Sequence, residues 1–435
     1  MTRIQRYRFH RLLQSSSWLL PLLAMAAAVV LHQLLWWLDA RTRWAWAGFS
    51  PDGARGIVGV IATSMLTFMV FTYSMILLGV QIAGAQLSPR VIDVVMKDRV
   101  LKWCLGLFVF AFTYSACVLG RIEDVVPQLP MVMVSLGCLL SISAFLYLVD
   151  YMMRILRPAG ILVRVAAVAT SVIEDIYPYP LAESERVRSE QSSLPVGEAS
   201  RTVCHRGSSG VLQGLDGRGL MEIAHRNRCT IRLAQQVGDF VTKDEPLIHI
   251  YDGGQGVDDD ELHQSVALGM ERTMQQDPTL AFRIIVDIAS RALSPAINDP
   301  STAVLALDQI HRLLRIVGKR YLGDGTLRDE EGVVRLILPT PNWEDFVSLG
   351  MSEIRLFGGS SLQIVRRLRA MIENLLAVLP EQRHPALHEQ LKLLDRAVER
   401  NFADPVDRAY AGMSDYQGVG SSRLAPSAGG PREES

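Results

Sequence analysis

Four long apolar runs, at residues 18–38, 57–83, 103–120 and 130–152, constrain this chain more than any other feature. A bilayer core about 30 Å thick is crossed by roughly 20 apolar residues in a helix. Lipid offers no partner to backbone N–H and C=O groups, so a spanning run must satisfy them internally, as a helix does. Each run is therefore expected to cross the membrane, making residues 1–156 a multi-pass α-helical region whose first partner is the lipid bilayer. Six of the seven tryptophans (Trp18, Trp36, Trp37, Trp44, Trp46, Trp103) fall in the first quarter of the chain. Indole rings favour the membrane–water boundary, and here they crowd the ends of the apolar runs. The first run follows a basic start, Arg3 to Arg11, as a signal peptide would. It is too long for an h-region, however, and ends in bulky residues where a cleavage site needs small ones. An uncleaved helix is expected.

Orientation follows from Lys and Arg in the flanking segments. The N-terminal segment (Arg3, Arg6, Arg8, Arg11), the second connection (Arg90, Lys97, Arg99, Lys102) and the stretch after the last span (Arg154, Arg157, Arg164) carry eleven. The opposite side carries four: Arg41, Arg43, Arg55 and Arg121. Both termini are thus expected in the cytoplasm. In the second connection, Ser88 before Pro89 resembles a capped helix start. Asp93–Lys97 and Asp98–Lys102 are helix-stabilising pairs, so residues 88–100 are expected to form a surface helix.

Within the second span Ser64, Thr67, Ser74 and Gln81, with Phe71 and Leu78 between them, recur every three or four residues and share one helix face. Polar groups in a membrane must face protein or water. Such a face is either the lining of a pore or transport route or the hydrogen-bonding contact between helices. In the fourth span Asp150 lies near the cytoplasmic end, where Arg154 can pair with it. His32 is expected at the outer interface.

The composition beyond about residue 174 is that of a soluble domain, and the formal net charge of −1 argues against a nucleic-acid partner, which requires a concentrated basic surface. The five cysteines show no metal-ligand or redox spacing and are expected to be reduced. Residues 157–200 form a connector: an apolar helix over 161–173, then a Pro/Ser/Glu-rich stretch. Residues 201–253 are β-rich, with strands at 211–215, 230–233 and 247–251. Val237-Gly238-Asp239-Phe240-Val241 before Pro246-Leu247 resembles the turn-and-return of barrel-sandwich domains such as biotinyl and lipoyl carriers. The carrier lysine context is absent, which leaves a structural use of that shape.

Residues 254–405 are mainly helical, with a small hairpin at 326–338 that turns at Glu331-Gly332. Acidic Asp258 to Glu261 suit a helix start through the helix dipole. His384 and His388 share a helix face without a third ligand, so no metal and no cofactor is expected. Residues 406–435 are expected to be disordered. Two junctions, Asp277-Pro278-Thr279 and Asp299-Pro300-Ser301, each set a capping aspartate before a first-turn proline. Arg283, Asp287 and Arg291 share one face between them, with Arg291 expected to pair with Asp287. Arg291, Ser294, Asn298, Asp299, Ser301 and Thr302 offer donors, acceptors and a helix N-terminus able to hold an anion. Capping alone accounts for Asp299, Pro300 and Ser301, so a ligand site and a tightly capped turn both remain open.

The run Arg291-Ala-Leu-Ser-Pro-Ala-Ile-Asn-Asp-Pro-Ser-Thr-Ala303 is the most distinctive in the chain. With Leu87-Ser-Pro-Arg90, Lys97-Asp98-Arg99, Gly238-Asp-Phe-Val241 and Arg272…Gln276-Asp277, it resembles a family of bacterial membrane proteins, domain of unknown function 2254. The resemblance covers roughly residues 10–400. It implies a multi-helix membrane region in the bacterial inner (plasma) membrane, followed by a cytoplasmic α+β domain, and implies no activity. Two functions stay in play: a homo-oligomeric channel or transport-type protein with a cytoplasmic gating or scaffold domain, and a membrane-tethered sensor or scaffold. An enzyme is the weakest reading, since no nucleophile–base pair or phosphate loop is present.

Overall fold

The computed structural model of the chain describes residues 18–42, 50–82, 84, 90, 98–123, 126–155, 157–183 and 197–420. The basic N-terminal segment and most of the expected surface helix at 88–100 lie outside these residues. The chain divides into two compact units, parted between residues 161 and 162.

The first unit contains α1 (Leu19–Thr42), α2 (Pro51–Ile82), α3 (Arg99–Leu119) and α4 (Gln128–Ile155). All four are long and apolar enough to cross a membrane. Helix α3 packs on each of the others, and small residues allow the approach. A Cβ on Gly106 would meet Leu20 of α1 at 3.4 Å, and one on Gly137 of α4 would meet Ala111 of α3 at 3.9 Å. Toward one end Phe108, Leu101, Leu148 and Met152 form an apolar cluster, beside a Phe68–Phe145 stack at 4.3 Å. There Asp98 caps α3, accepting from the Val100 N–H at 2.8 Å and the Tyr151 hydroxyl at 2.6 Å. Toward the other end Asp39 accepts from the Leu129 N–H at 2.9 Å, and Arg55 donates to the Ile122 carbonyl at 2.8 Å. Polar groups thus tie the helix ends at both sides of the bundle.

Helix α5 (Pro158–Ile176) leads into the second unit. Among the described residues, eight strands form two sheets there: β1 (Arg201–Cys204), β2 (Gly210–Leu215), β3 (Thr230–Leu233), β4 (Phe240–Val241), β5 (Pro246–Tyr251), β6 (Val266–Gly269), β7 (Thr326–Arg328) and β8 (Val334–Ile337). The five-stranded sheet runs β1-β5-β3-β8-β7 and the three-stranded one β4-β2-β6. The β-rich part therefore extends past residue 253. Strand β6 pairs with β2, and β8 pairs in parallel with β3. Strand β3 is central and nearly all buried, so both its edges need a backbone partner. A parallel partner requires a long crossover, which here runs from residue 234 to residue 333 and carries three helices. Helix α6 (Gly217–Arg226), which sequence patterning missed, is capped by Asp216 and buries Leu220, Ile223 and Ala224. Helix α7 (Asp259–Gln264) is capped by Asp258, in keeping with the acidic start noted there.

The helical layer contains α8 (Pro278–Ala292), α9 (Pro300–Gly318), α10 (Trp343–Gly358), α11 (Leu362–Val378), α12 (His384–Asn401) and α13 (Pro405–Ala411). Helix α8 packs on α9 and α10, and α11 on α9 and α12. Phe282, Phe346, Trp343, Ile310 and Leu314 fill the centre. Residues 177–183 follow the end of α9, with the Leu181 N–H donating to the Lys319 carbonyl at 2.8 Å and the Tyr321 N–H to the Tyr179 carbonyl at 2.9 Å.

The expected disorder from residue 406 is corrected by the structure as far as Gly420. After α13, residues 412–420 form a strap on α11. Buried Asp415 accepts from the N–H groups of Gln417, Gly418 and Gly420. Buried Arg366 donates to the carbonyls of Met413 and Gly420, each at 3.2 Å. Gly- and Ser-rich composition reads as disorder because it lacks apolar residues, but this strap is held by side chains of another element. Residues 421–435 lie outside the described residues.

Candidate functional site

The polar stripe of α2 faces away from its own bundle. The buried face of α2 is Ala54, Val58, Ala62, Met65, Thr72 and Gly79. Met65 and Ser74 are roughly two and a half turns apart, which puts them on opposite sides. Thr67, Ser74 and Gln81 are exposed, as are Phe71 and Leu78, and Ser64 is half-buried. Phe71 meets Phe145 of α4 with ring centroids 5.4 Å apart, but packing among the described helices does not account for the exposed Thr67, Ser74 and Gln81. Each hydroxyl donates to the carbonyl four residues before it: Ser64 to Val60 at 2.8 Å, Thr67 to Thr63 at 3.0 Å and Ser74 to Val70 at 3.0 Å. Their donors are met inside the helix, while their oxygens keep acceptor capacity on the outer side. In α4, Asp150 pairs with Arg154 at 2.8 Å, both exposed. His32 is packed inside the bundle, 2% exposed.

The turn from Arg291 to Thr302 is closed by its own groups. Asp299 caps α9, accepting from the Thr302 N–H at 3.0 Å and the Thr302 hydroxyl at 2.5 Å. The Asp299 N–H donates to the Ala292 carbonyl at 2.7 Å, and the Ser294 hydroxyl to the Arg291 carbonyl at 2.7 Å. Asn298 takes the left-handed conformation, φ +48°, which asparagine tolerates better than most residues. Pro295 to Asn298 and Ser301 are exposed, and Arg291 is half-buried. Asp287 pairs with Arg283, at 2.6 Å, and not with Arg291 as expected. The reason lies across the helix interface: Arg283 also donates to both carboxylate oxygens of Glu353 on α10, which orients its guanidinium. Capping geometry thus occupies Asp299, Thr302 and Ser294, and leaves the side chains of Arg291 and Asn298 without a role in the turn.

Two of the segments noted in the sequence meet. Arg272 donates to Asp277 from Nε at 2.9 Å and from Nη2 at 2.6 Å. Asp277 is buried and caps α8 through the Leu280 N–H at 3.1 Å. Gly238, φ +102°, lies against both groups, and a Cβ there would fall 2.7 Å from the Asp277 carboxylate. Gln276 accepts from the Leu215 N–H at 2.9 Å and donates to its carbonyl at 3.2 Å. This junction fastens the β-rich part to the first helix of the helical layer.

Among the described residues, His225, Asp329 and Glu331 bring potential metal-ligand atoms together. Asp329 is already engaged: one oxygen accepts the Glu331 and Val333 N–H groups at 3.1 and 2.8 Å, the other the Arg335 guanidinium at 2.6 Å. The group closes the β7–β8 turn and is poorly suited to an ion. His384 and His388 meet edge to face at 6.1 Å, and His384 contacts the Leu379 carbonyl at 2.9 Å.

The family model described as "Predicted membrane protein (DUF2254)" matches residues 14–374. Uncharacterized proteins of Mycobacterium bovis and Mycobacterium tuberculosis are 29% identical over 418 residues, covering 91% of this chain and 79% of theirs. No solved structure matches.

Proposed function

Since this chain belongs to the DUF2254 family of predicted membrane proteins, we propose that it works as a homo-oligomeric, transport-type protein of a bacterial inner membrane. In this reading α2 contributes its outer polar face to a route between subunits. The observation that carries the reading is the direction of the stripe: Thr67, Ser74 and Gln81 are exposed on the side of α2 opposite its packed face. A row of hydroxyl oxygens with spare acceptor capacity, ending in an amide, suits a hydrated surface better than lipid. The excess of Lys and Arg on one set of flanks supports placing both termini, and hence the second unit, in the cytoplasm. There the second unit serves as gate or scaffold.

The test is thiol accessibility in liposomes, in full-length protein whose native cysteines have been replaced. Ser74→Cys and Thr67→Cys are expected to react with a membrane-impermeant reagent and to cross-link between copies. Leu66→Cys, exposed on another side of α2, is expected to do neither. Equal protection at all three positions, together with no ion or solute flux from the same liposomes, would sink the reading.

A further inference from the structure

Inside the membrane bundle, two polar side chains in contact have no hydrogen-bonding partner from the protein. His32 on α1 and Tyr114 on α3 are 2% and 1% exposed. Neither ring nitrogen of His32, nor the Tyr114 hydroxyl, makes a hydrogen bond. Their rings meet edge to face with centroids 5.9 Å apart, and Trp36 lies 6.0 Å from the imidazole. Ala28, Val58, Val118 and Met131 belong to the same packed cluster as Tyr114. The polar groups nearby are engaged elsewhere. Asp39 accepts from the Leu129 N–H, and Arg121 donates to Gln33 while lying over Trp36.

A neutral imidazole always presents one donor and one acceptor, and a phenol presents both. Within a bilayer no bulk solvent answers them, and leucine or phenylalanine would pack the same space without that demand. Two such groups in contact therefore point to a shared guest. Apolar walls disfavour a charged one, whereas water offers both donor and acceptor in the smallest volume. We propose that His32 and Tyr114 form an internal water site that bridges imidazole to phenol within the membrane bundle. The site adjoins the packed side of α2, where Val58 lies, so it is independent of the outward stripe.

Solid-state NMR of the full chain in lipid bilayers, with 15N-labelled histidine rings, tests it. The His32 signals are assigned by their loss in His32→Leu. Polarisation transferred from water is expected to reach the His32 ring and to fall severalfold in Tyr114→Phe. Absence of transfer in the unmodified protein overturns the proposal, as does transfer unchanged by Tyr114→Phe. A second measurement needs no assignment: the thermal midpoints of His32→Leu, Tyr114→Phe and the double variant. The double variant is expected to lose no more than the worse single variant, because each single change leaves one half of the site unanswered. Additive losses overturn the proposal.

Discussion

Asp277 and Asp299 occupy near-identical sequences, each an aspartate before proline and a hydroxyl residue, and each caps a helix. Their loads differ. Asp299 is half-buried and bonded within its own turn, so Asp299→Ala should cost about 1 kcal/mol, the value of a cap. Asp277 is buried and also holds Arg272. Asp277→Ala should therefore cost about 3 kcal/mol, because it removes a cap and leaves a guanidinium without its carboxylate. Thermal unfolding of the full chain in detergent should rank the two in that order; equal losses would show the ion pair to be inconsequential. Gly238→Ala acts on the same junction. Its positive φ disfavours any side chain, and the new Cβ would press on Asp277 and Arg272. A loss of about 2 kcal/mol or more is expected from strain and crowding, measured as a lowered midpoint, while an unchanged midpoint would mean the hairpin yields freely.

At the scale of elements, α8 and α10 are joined by the bonds of Arg283 to Glu353. Those bonds hold the Glu353 carboxyl below the usual carboxylate range, partly opposed by burial. A depressed folded pKa stabilises above the unfolded value, about 4.3 for a glutamate, and the stability is lost as pH falls through the folded value. Melting midpoints followed from pH 6 to pH 3 should therefore drop less steeply in Glu353→Gln than in the unmodified chain. Parallel curves would remove the pair from the acid response. This cross-helix link was not legible in the sequence. The i,i+4 pattern placed Arg283, Asp287 and Arg291 on one face and led to the expectation that Asp287 would take Arg291. Glu353, distant in sequence, decides otherwise by orienting Arg283. The cap aspartates and their prolines, by contrast, could be read directly, because a cap is made by residues three apart in the chain.

For the molecule as a whole, the strap over residues 412–420 makes stability depend on chain beyond the last long helix. Arg366 and Asp415 are both buried there, and Glu373 accepts from the hydroxyls of Ser414 and Tyr416. A chain ending at Ala411 should melt well below one ending at Gly420, since removing the strap exposes the surface under it and strips Arg366 of two carbonyl acceptors. Coincident melting curves would mean that the strap is held no more tightly than a free end. The same scale accounts for the strands. Residues 201–253 contain strands that sequence patterning finds, yet their sheets are completed by 266–269 and 326–337. Alternation of apolar residues shows that a strand has a buried face; it does not show which distant strand lies beside it.

The sequence alone determined that four helices are long and apolar enough to cross a membrane, that helices begin at Asp277 and Asp299, and that α2 carries one ordered polar face. These are matters of local composition and helical period, and they need no knowledge of neighbours. Only the tertiary structure decided that the polar face of α2 points away from its own bundle while His32 points into it. Period fixes which residues share a side of a helix. Which side is buried depends on how α3 packs against α1, α2 and α4, a balance of shape and contact made by residues far apart in the chain.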